Sequence, residues 1–230
     1  MLLSKSRILT FLQCPKKFYY TQIEKLPIKE NIWIIRGGNF HKFAELFWKD
    51  VKVEGNQLIL PEIPDMMDDY VDNAIKNFIN NEKKRWETCL KRTDNPKKYF
   101  FPVMLEKKVV NEKLQIDGIV DRVDQNQDGS FVIIEYKVQH PRRSWKLLFE
   151  LSFYKYLIEQ THKDFEGKIN TGVVYFPTHN DFWLINNLNV DGIEKTIEDI
   201  KSSIIENRFE GKVWSQCANC QFQSKCFVGD

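Results

Sequence analysis

Asp121, Glu135 and Lys137 stand at the ends of two stretches that read as strands joined by a short turn. Gln115-Ile-Asp-Gly-Ile-Val-Asp-Arg-Val is mostly apolar and β-branched, Asp124 to Ser130 is turn chemistry with an Asp-Gly pair, and Phe131-Val-Ile-Ile is a second apolar run. A hairpin of that form sets the Asp121 and Glu135 carboxylates side by side. It also puts Lys137 on the face of Glu135, because strand side chains alternate with period two. Carboxylates are hard ligands for magnesium or manganese, and a lysine beside them can orient a water and offset charge developing on a phosphate ester. The trio has a plainer reading too, since acidic strand ends are common and a Glu-x-Lys pair is often just solvated.

The cysteines form a second set. Cys217, Cys220 and Cys226 follow a C-x2-C-x5-C spacing, and Cys14 lies at the opposite end of the chain. The clustered three are poor disulfide partners for one another but well spaced to wrap a metal centre, with Cys14 as a fourth thiolate if the termini meet. Zinc and an iron–sulfur cluster both accept four cysteines, so ligand count leaves both open. One distant cysteine plus a C-terminal triplet is the less usual zinc pattern, which favours a cluster. Cys89, on a helical stretch, reads as a small packing residue.

In their order along the chain these residues resemble the PD-(D/E)XK nuclease superfamily, above all the branch joining RecB-type nuclease domains to the CRISPR-associated iron–sulfur exonucleases. Ser4 to Tyr20, with Cys14-Pro-Lys-Lys-Phe, resembles the opening helix that carries the first cluster cysteine. Gly37-Gly-Asn-Phe-His41 resembles the segment of the active-site histidine. Gly118-Ile-Val-Asp121 matches the first metal-binding aspartate, Glu135-Tyr-Lys137 the acidic-x-Lys motif, and the terminal cysteines complete the set.

The resemblance implies an α/β, restriction-endonuclease-like core, a mixed β-sheet flanked by helices, forming one nuclease domain over residues 1–230. Cys14 and the 214–230 tail would form an N- and C-terminal clasp around a [4Fe-4S] cluster. Asp121 and Glu135 would bind Mg2+ or Mn2+, His41 would add a nitrogen ligand favouring manganese, and Lys137 would position the attacking water. Glu106 takes the place of an acidic residue often present in the family. Tyr154 matches a tyrosine on the helix after the lysine strand, but Glu150, one turn earlier, stands where glutamine is common. A negative charge there could recruit a second cation or weaken phosphate binding. Without the family, His41 reads as a residue that caps or packs the helix it opens.

The implied activity is metal-dependent DNA hydrolysis, as an exonuclease on single-stranded ends, in DNA processing, repair or CRISPR adaptation, with a helicase or CRISPR integrase as partner. A rival reading is a non-catalytic iron–sulfur DNA-binding or adaptor module for such a partner. Glu150 leans that way and the intact Asp/Glu/Lys trio against it. A structural-zinc protein of unrelated function is a third.

At 230 residues, 42% hydrophobic and 29% charged, the chain has room for a sizeable core and the composition of a soluble globular protein. No apolar run approaches bilayer length, and Lys5, Arg7 and Gln13 interrupt the N-terminal apolar stretch, so neither a membrane span nor a signal peptide is expected. Clustered cysteines suit a reducing cytoplasm. A net charge of +2 argues little for nucleic acid by itself. Its distribution says more, because Lys16–Tyr20, Lys83–Trp86, Lys97–Phe100 and Arg142-Arg143-Ser-Trp145-Lys146 set cations beside rings, as single-stranded DNA binding uses. Each could equally be a solvated face. The last follows Lys137 most closely and is the expected DNA contact.

The elements that must position these groups read as follows. A helix runs from Ser4 to about Ile23, bent at Pro15, and a second from Phe40 to Val51. After a Pro61–Pro64 connector, Asp65 caps a long helix to about Arg92, with Met66, Tyr70, Ala74, Phe78 and Trp86 inward. Thr93–Lys98 breaks it, and strands follow near 100–110, 114–123 and 131–138. A helix from Ser144 to Gln160 turns Leu147, Leu148, Leu151, Tyr154, Leu157 and Ile158 inward, strands recur at 171–176 and 181–187, and a last helix spans about 191–207.

Overall fold

The computed structural model describes residues 1–29, 31–63, 68–213 and 217–226. In chain order the first elements are β1 (Leu3–Ser4), α1 (Lys5–Gln13), α2 (Pro15–Phe18) with a wide turn at Tyr19–Ile23, and α3 (Ile32–Asp50). Then come the hairpin β2 (Lys52–Glu54) and β3 (Gln57–Ile59), α4 (Asp69–Arg92) and α5 (Pro96–Phe100). The second half holds β4 (Met104–Asn111), β5 (Ile116–Gln125), β6 (Phe131–Tyr136), α6 (Trp145–Thr161), β7 (Ile169–Phe176), β8 (Asp181–Asn186) and α7 (Ile193–Ile205).

β5 organises the mixed sheet. Along one edge it pairs antiparallel with β4. Its other edge is shared: β1 lies parallel at Ile116 and Asp117, and β6 antiparallel from Arg122 to Gln125. β6 pairs parallel with β7, and β7 antiparallel with β8, so α6 is the crossover between two parallel strands. One face packs on α6, where Leu151, Phe153, Leu157 and Ile158 meet Val120, Val123, Ile133 and Val174. The other face carries α3 and α4, whose Phe40, Phe47, Phe78 and Trp86 surround Tyr136 and Tyr175. This is an α/β arrangement with helices on both faces of a mixed sheet, as expected.

Under the α4 side, Arg122 is buried and bound to Asp124 and to Glu82 Oε1, the latter at 2.6 Å. A charge so deep persists only when its partners satisfy it.

Several boundaries differ from expectation. α3 begins at Ile32, because the Asn31 side chain accepts the Trp33 and Ile34 N–H groups and caps the helix there. Gly37 and Gly38 therefore lie inside the helix, and His41 is interior to it, not at its start. Asp65 and Met66 fall outside the described residues, and Asp68 caps α4 by accepting from Tyr70 and Val71. The Thr93–Lys98 break contains the short helix α5, started by Asn95 and Pro96. Leu148 is 41% exposed, not inward, while Ser152 and Lys155 of α6 are buried, so this central helix is covered almost all round. In the clusters at Lys83–Trp86 and Lys97–Phe100 the Trp86 and Phe100 rings belong to the core, with Arg85 packed on Phe100 and paired with Glu82, while Lys83, Lys84, Lys97 and Lys98 are exposed.

Candidate active site

Asp121 stands at the fork of β5, past the last β6 pair (Arg122–Ile134) and before β1 begins. Its Oδ2 closes the fork by accepting the Tyr136 backbone N–H at 2.8 Å. The register makes Asp121 and Glu135 the next residues of the two diverging strands, so the hairpin expected from sequence does bring them together. On the opposite edge the β4–β5 ladder skips Glu106 and Asp121. Glu106 has φ +40°, a left-handed backbone that glutamate seldom adopts.

α3 supplies His41 over this break. Its Nδ1 donates to Glu106 Oε1 at 3.0 Å and lies 3.6 Å from Asp121 Oδ1. The donor atoms of His41, Glu106 and Asp121 all lie within 4.8 Å of one another. Glu106 thus belongs to the cluster, although its sequence signal was faint.

On the α6 side Glu135 meets two lysines. Lys137 Nζ sits 2.6 Å and Lys5 Nζ 2.8 Å from Glu135 Oε1. Glu150 Oε2, from α6, lies 2.9 Å from Lys137 Nζ and 3.7 Å from Lys5 Nζ. Glu135 Oε2 is buried without a hydrogen-bond partner among the described residues. Tyr154, one turn after Glu150, is buried, with Lys5 Nζ 4.9 Å from its ring centroid. Lys5 is the member that sequence reasoning missed. The glutamate at 150 asked for a compensating cation, but nothing in the spacing pointed to one 145 residues away.

The charges act on one another. Burial and the Glu135 charge push the Asp121 carboxyl up to about 7. Burial pushes Glu135 the same way, but Lys137 and Lys5 outweigh it and hold its carboxyl well below the usual range. At His41, burial opposes the charged ring, yet Asp121 and Glu106 raise its pKa to about 9. Lys137 is likewise raised, because Glu135 outweighs its desolvation, so it stays protonated at neutral pH.

These donors fit a divalent cation. The Glu135 Oε2 atom has no hydrogen-bond partner among the described residues, and His41, Glu106 and Asp121 offer one nitrogen and two carboxylates close enough together that they would hold such an ion.

Arg142, Arg143 and Trp145 are exposed at the entry to α6. Lys146, one turn before Glu150, has its pKa lowered by partial burial and by the charges of Lys17 and Arg142.

The chain ends meet elsewhere. Cys14, Cys217, Cys220 and Cys226 line one cavity of about 580 Å³, and none of the five cysteines is in a disulfide. Tyr20 Oη donates to the Lys225 carbonyl at 2.5 Å and its ring lies tilted against Phe222, while Gln221 Oε1 accepts the Lys29 N–H at 3.0 Å. Cys89 is half-buried on α4 and packs at the edge of the core, as expected.

The sequence profile of the PD-(D/E)XK nuclease superfamily matches residues 2–227, and the chain belongs to that superfamily. Among solved structures, a candidate exonuclease from Eubacterium rectale shares the fold, with a TM-score of 0.54 and 12% identity over 100% of this chain and 89% of that one. The crystal structure of SSO0001 aligns at a TM-score of 0.42 and 15% identity, over 95% of this chain and 84% of that one. No curated protein matches the chain. Membership brings a nuclease fold that uses divalent metals, and the His41–Glu106–Asp121 cluster is the candidate place for one. Among the described residues no helix is long and apolar enough to cross a membrane.

Proposed function

We propose that the protein is a metal-dependent deoxyribonuclease, one domain over residues 1–230, acting as an exonuclease on single-stranded ends in a reducing cytoplasm. The observation that carries this reading is the acidic fork, where Asp121 shares one donor cluster with His41 and Glu106 and feels the charge of Glu135, which pairs with Lys137. His41, Asp121 and Glu135 would hold Mg2+ or Mn2+, with Glu106 beside them. When bound, the ion supplies Lewis-acid stabilisation of charge on the phosphate. Lys137, protonated, orients the attacking water and offsets developing negative charge; its raised pKa suits that role better than proton abstraction. The water oxygen bonds to phosphorus in line as the bond to the 5′- or 3′-oxygen breaks, the attacking water giving its proton to bulk solvent and the leaving oxygen taking one from it, with no covalent enzyme intermediate. Tyr154 keeps the Lys5 ammonium against the site. Arg142, Arg143, Trp145 and Lys146 would hold the strand, cations on phosphates and the ring on a base.

For Cys14, Cys217, Cys220 and Cys226 we propose a [4Fe-4S] cluster, supported by their shared cavity. One distant cysteine with a C-x2-C-x5-C triplet is the less usual zinc pattern, which favours the cluster.

A second reading, the DNA-binding adaptor for a helicase or integrase, draws on one contact: Glu150 sits 2.9 Å from Lys137 Nζ and competes for the catalytic lysine. Digestion of end-labelled single-stranded and duplex DNA with Mn2+ decides between them. Anaerobically purified wild type should degrade single strands, and Glu135→Ala should lose about 100-fold or more while still binding DNA. An inactive, well-folded, iron-containing wild type would leave the adaptor.

A further inference from the structure

Glu150 introduces a buried carboxylate beside the lysine that the proposed chemistry needs, and the fold answers it from the other end of the chain. Lys5 opens α1, directly after β1 has paired with β5, so its side chain enters the site from the β1 side of the fork. The site then holds two carboxylates and two ammonium groups in alternation, with Lys5 and Lys137 both on Glu135 Oε1 and both facing Glu150 Oε2. Tyr154 supplies a ring face to Lys5 from the same side of α6 as Glu150. The four charges cancel. What remains negative is the group around His41, where a cation would bind.

We infer that Lys5 is a positioning residue, the second charge that lets glutamate stand at 150: Lys137 pairs with both Glu135 and Glu150, and Lys5 shares the two carboxylates so that neither rests on Lys137 alone. Without Lys5, two buried carboxylates bear on one lysine. Lys137 is then held away from the water, and the site gains a net negative charge that draws a divalent cation more strongly. This inference rests on the nuclease reading for its catalytic half only.

The test is a cycle of Lys5→Ala, Glu150→Gln and the double variant, read by single-turnover cleavage, by Mn2+ affinity in calorimetry and by melting temperature. Lys5→Ala should slow cleavage about tenfold or more yet bind Mn2+ more tightly, two opposite shifts that general loss of structure would not give. Adding Glu150→Gln should return rate, affinity and melting temperature towards wild type. Lys5→Gln is carried in parallel should the alanine variant not fold. Additive losses in the double variant, or weaker Mn2+ binding by Lys5→Ala, would overturn the inference. If no protein cleaves DNA the nuclease reading fails, and the melting cycle still decides whether the Lys5–Glu150 coupling exists.

Discussion

The proton on His41 Nδ1 is what joins the acidic cluster in the absence of a cation. Its pKa of about 9 lies above the ordinary 6.5, so this group's contribution to stability is complete below pH 6.5 and is lost as pH rises through about 9. Asp121, raised from 3.8 to about 7, likewise favours its protonated form, and that contribution fades between those values. His41 therefore makes the metal-free protein less stable as pH climbs from about 6 to about 8.5, with Asp121 adding to this only below about 7. A cation must displace the same protons, so its affinity moves the opposite way. The rise in melting temperature on adding Mn2+ anaerobically should be larger at about pH 8.5 than at about pH 6; an equal rise would place the ion elsewhere. Asp121, Glu135 and Lys137 were legible as residues because period-two alternation and a turn signal fix their relative positions locally. Lys5 was not, since its role depends on β1 joining β5 across more than a hundred residues, a contact that no local pattern encodes. Glu106 was faint for a related reason. Its participation comes from a left-handed backbone at a ladder break, and sequence does not announce that at a glutamate.

At the scale of elements, α6 sets the site by how closely it lies on the sheet. It carries Glu150 and Tyr154, and Gly118 of β5 and Gly172 of β7 let it come near. A Cβ at Gly118 would stand 2.9 Å from Tyr154 Cε1 and 3.1 Å from Leu157 Cδ2, and one at Gly172 would stand 2.8 Å from Leu151 Cδ1. Gly118→Ala should thus cost about 1–3 kcal/mol in stability and tilt the Tyr154 end of the helix. Because Tyr154 and Glu150 bear on Lys5, cleavage by the still-folded variant should drop more than melting alone explains, whereas Gly172→Ala should act mainly on stability. Equal activity per folded molecule in both variants would show that the helix position does not govern the site. The hairpin, the long helix ending at Arg92 and the strands at 169–176 and 181–186 were readable because turn residues and apolar spacing agree there. The start of α3 was not. Gly37 and Gly38 disfavour helix, but the Asn31 cap and the packing of Phe40, Phe43 and Phe47 override them. α6 read as amphipathic and proved central, because Lys155 is buried against the Ile169 carbonyl and Glu159.

At the scale of the whole molecule, the N-terminal segment is tied to the described part of the cysteine tail. Tyr20, Lys29 and Lys212 each bond across to the opposite terminus, and Cys14 joins the three tail cysteines around one cavity. α1 and α2 meet at Cys14 and carry Lys5 and Lys17 at opposite ends, so whatever holds Cys14 also fixes where α1 delivers Lys5 to the acidic fork. A cluster ligated there would act on cleavage by structure, without electron transfer. Cys220→Ala should then lose iron and brown colour, lower the melting temperature, and reduce cleavage in proportion to the folded fraction plus a further loss through Lys5. Lys5→Ala on the Cys220→Ala background should add less than it does on wild type, because both act through the same ammonium. Colourless wild-type protein holding zinc would replace the cluster but keep the clasp. An unchanged melting temperature in Cys220→Ala would sink the clasp itself, and with it the mechanical link from the chain ends to the site.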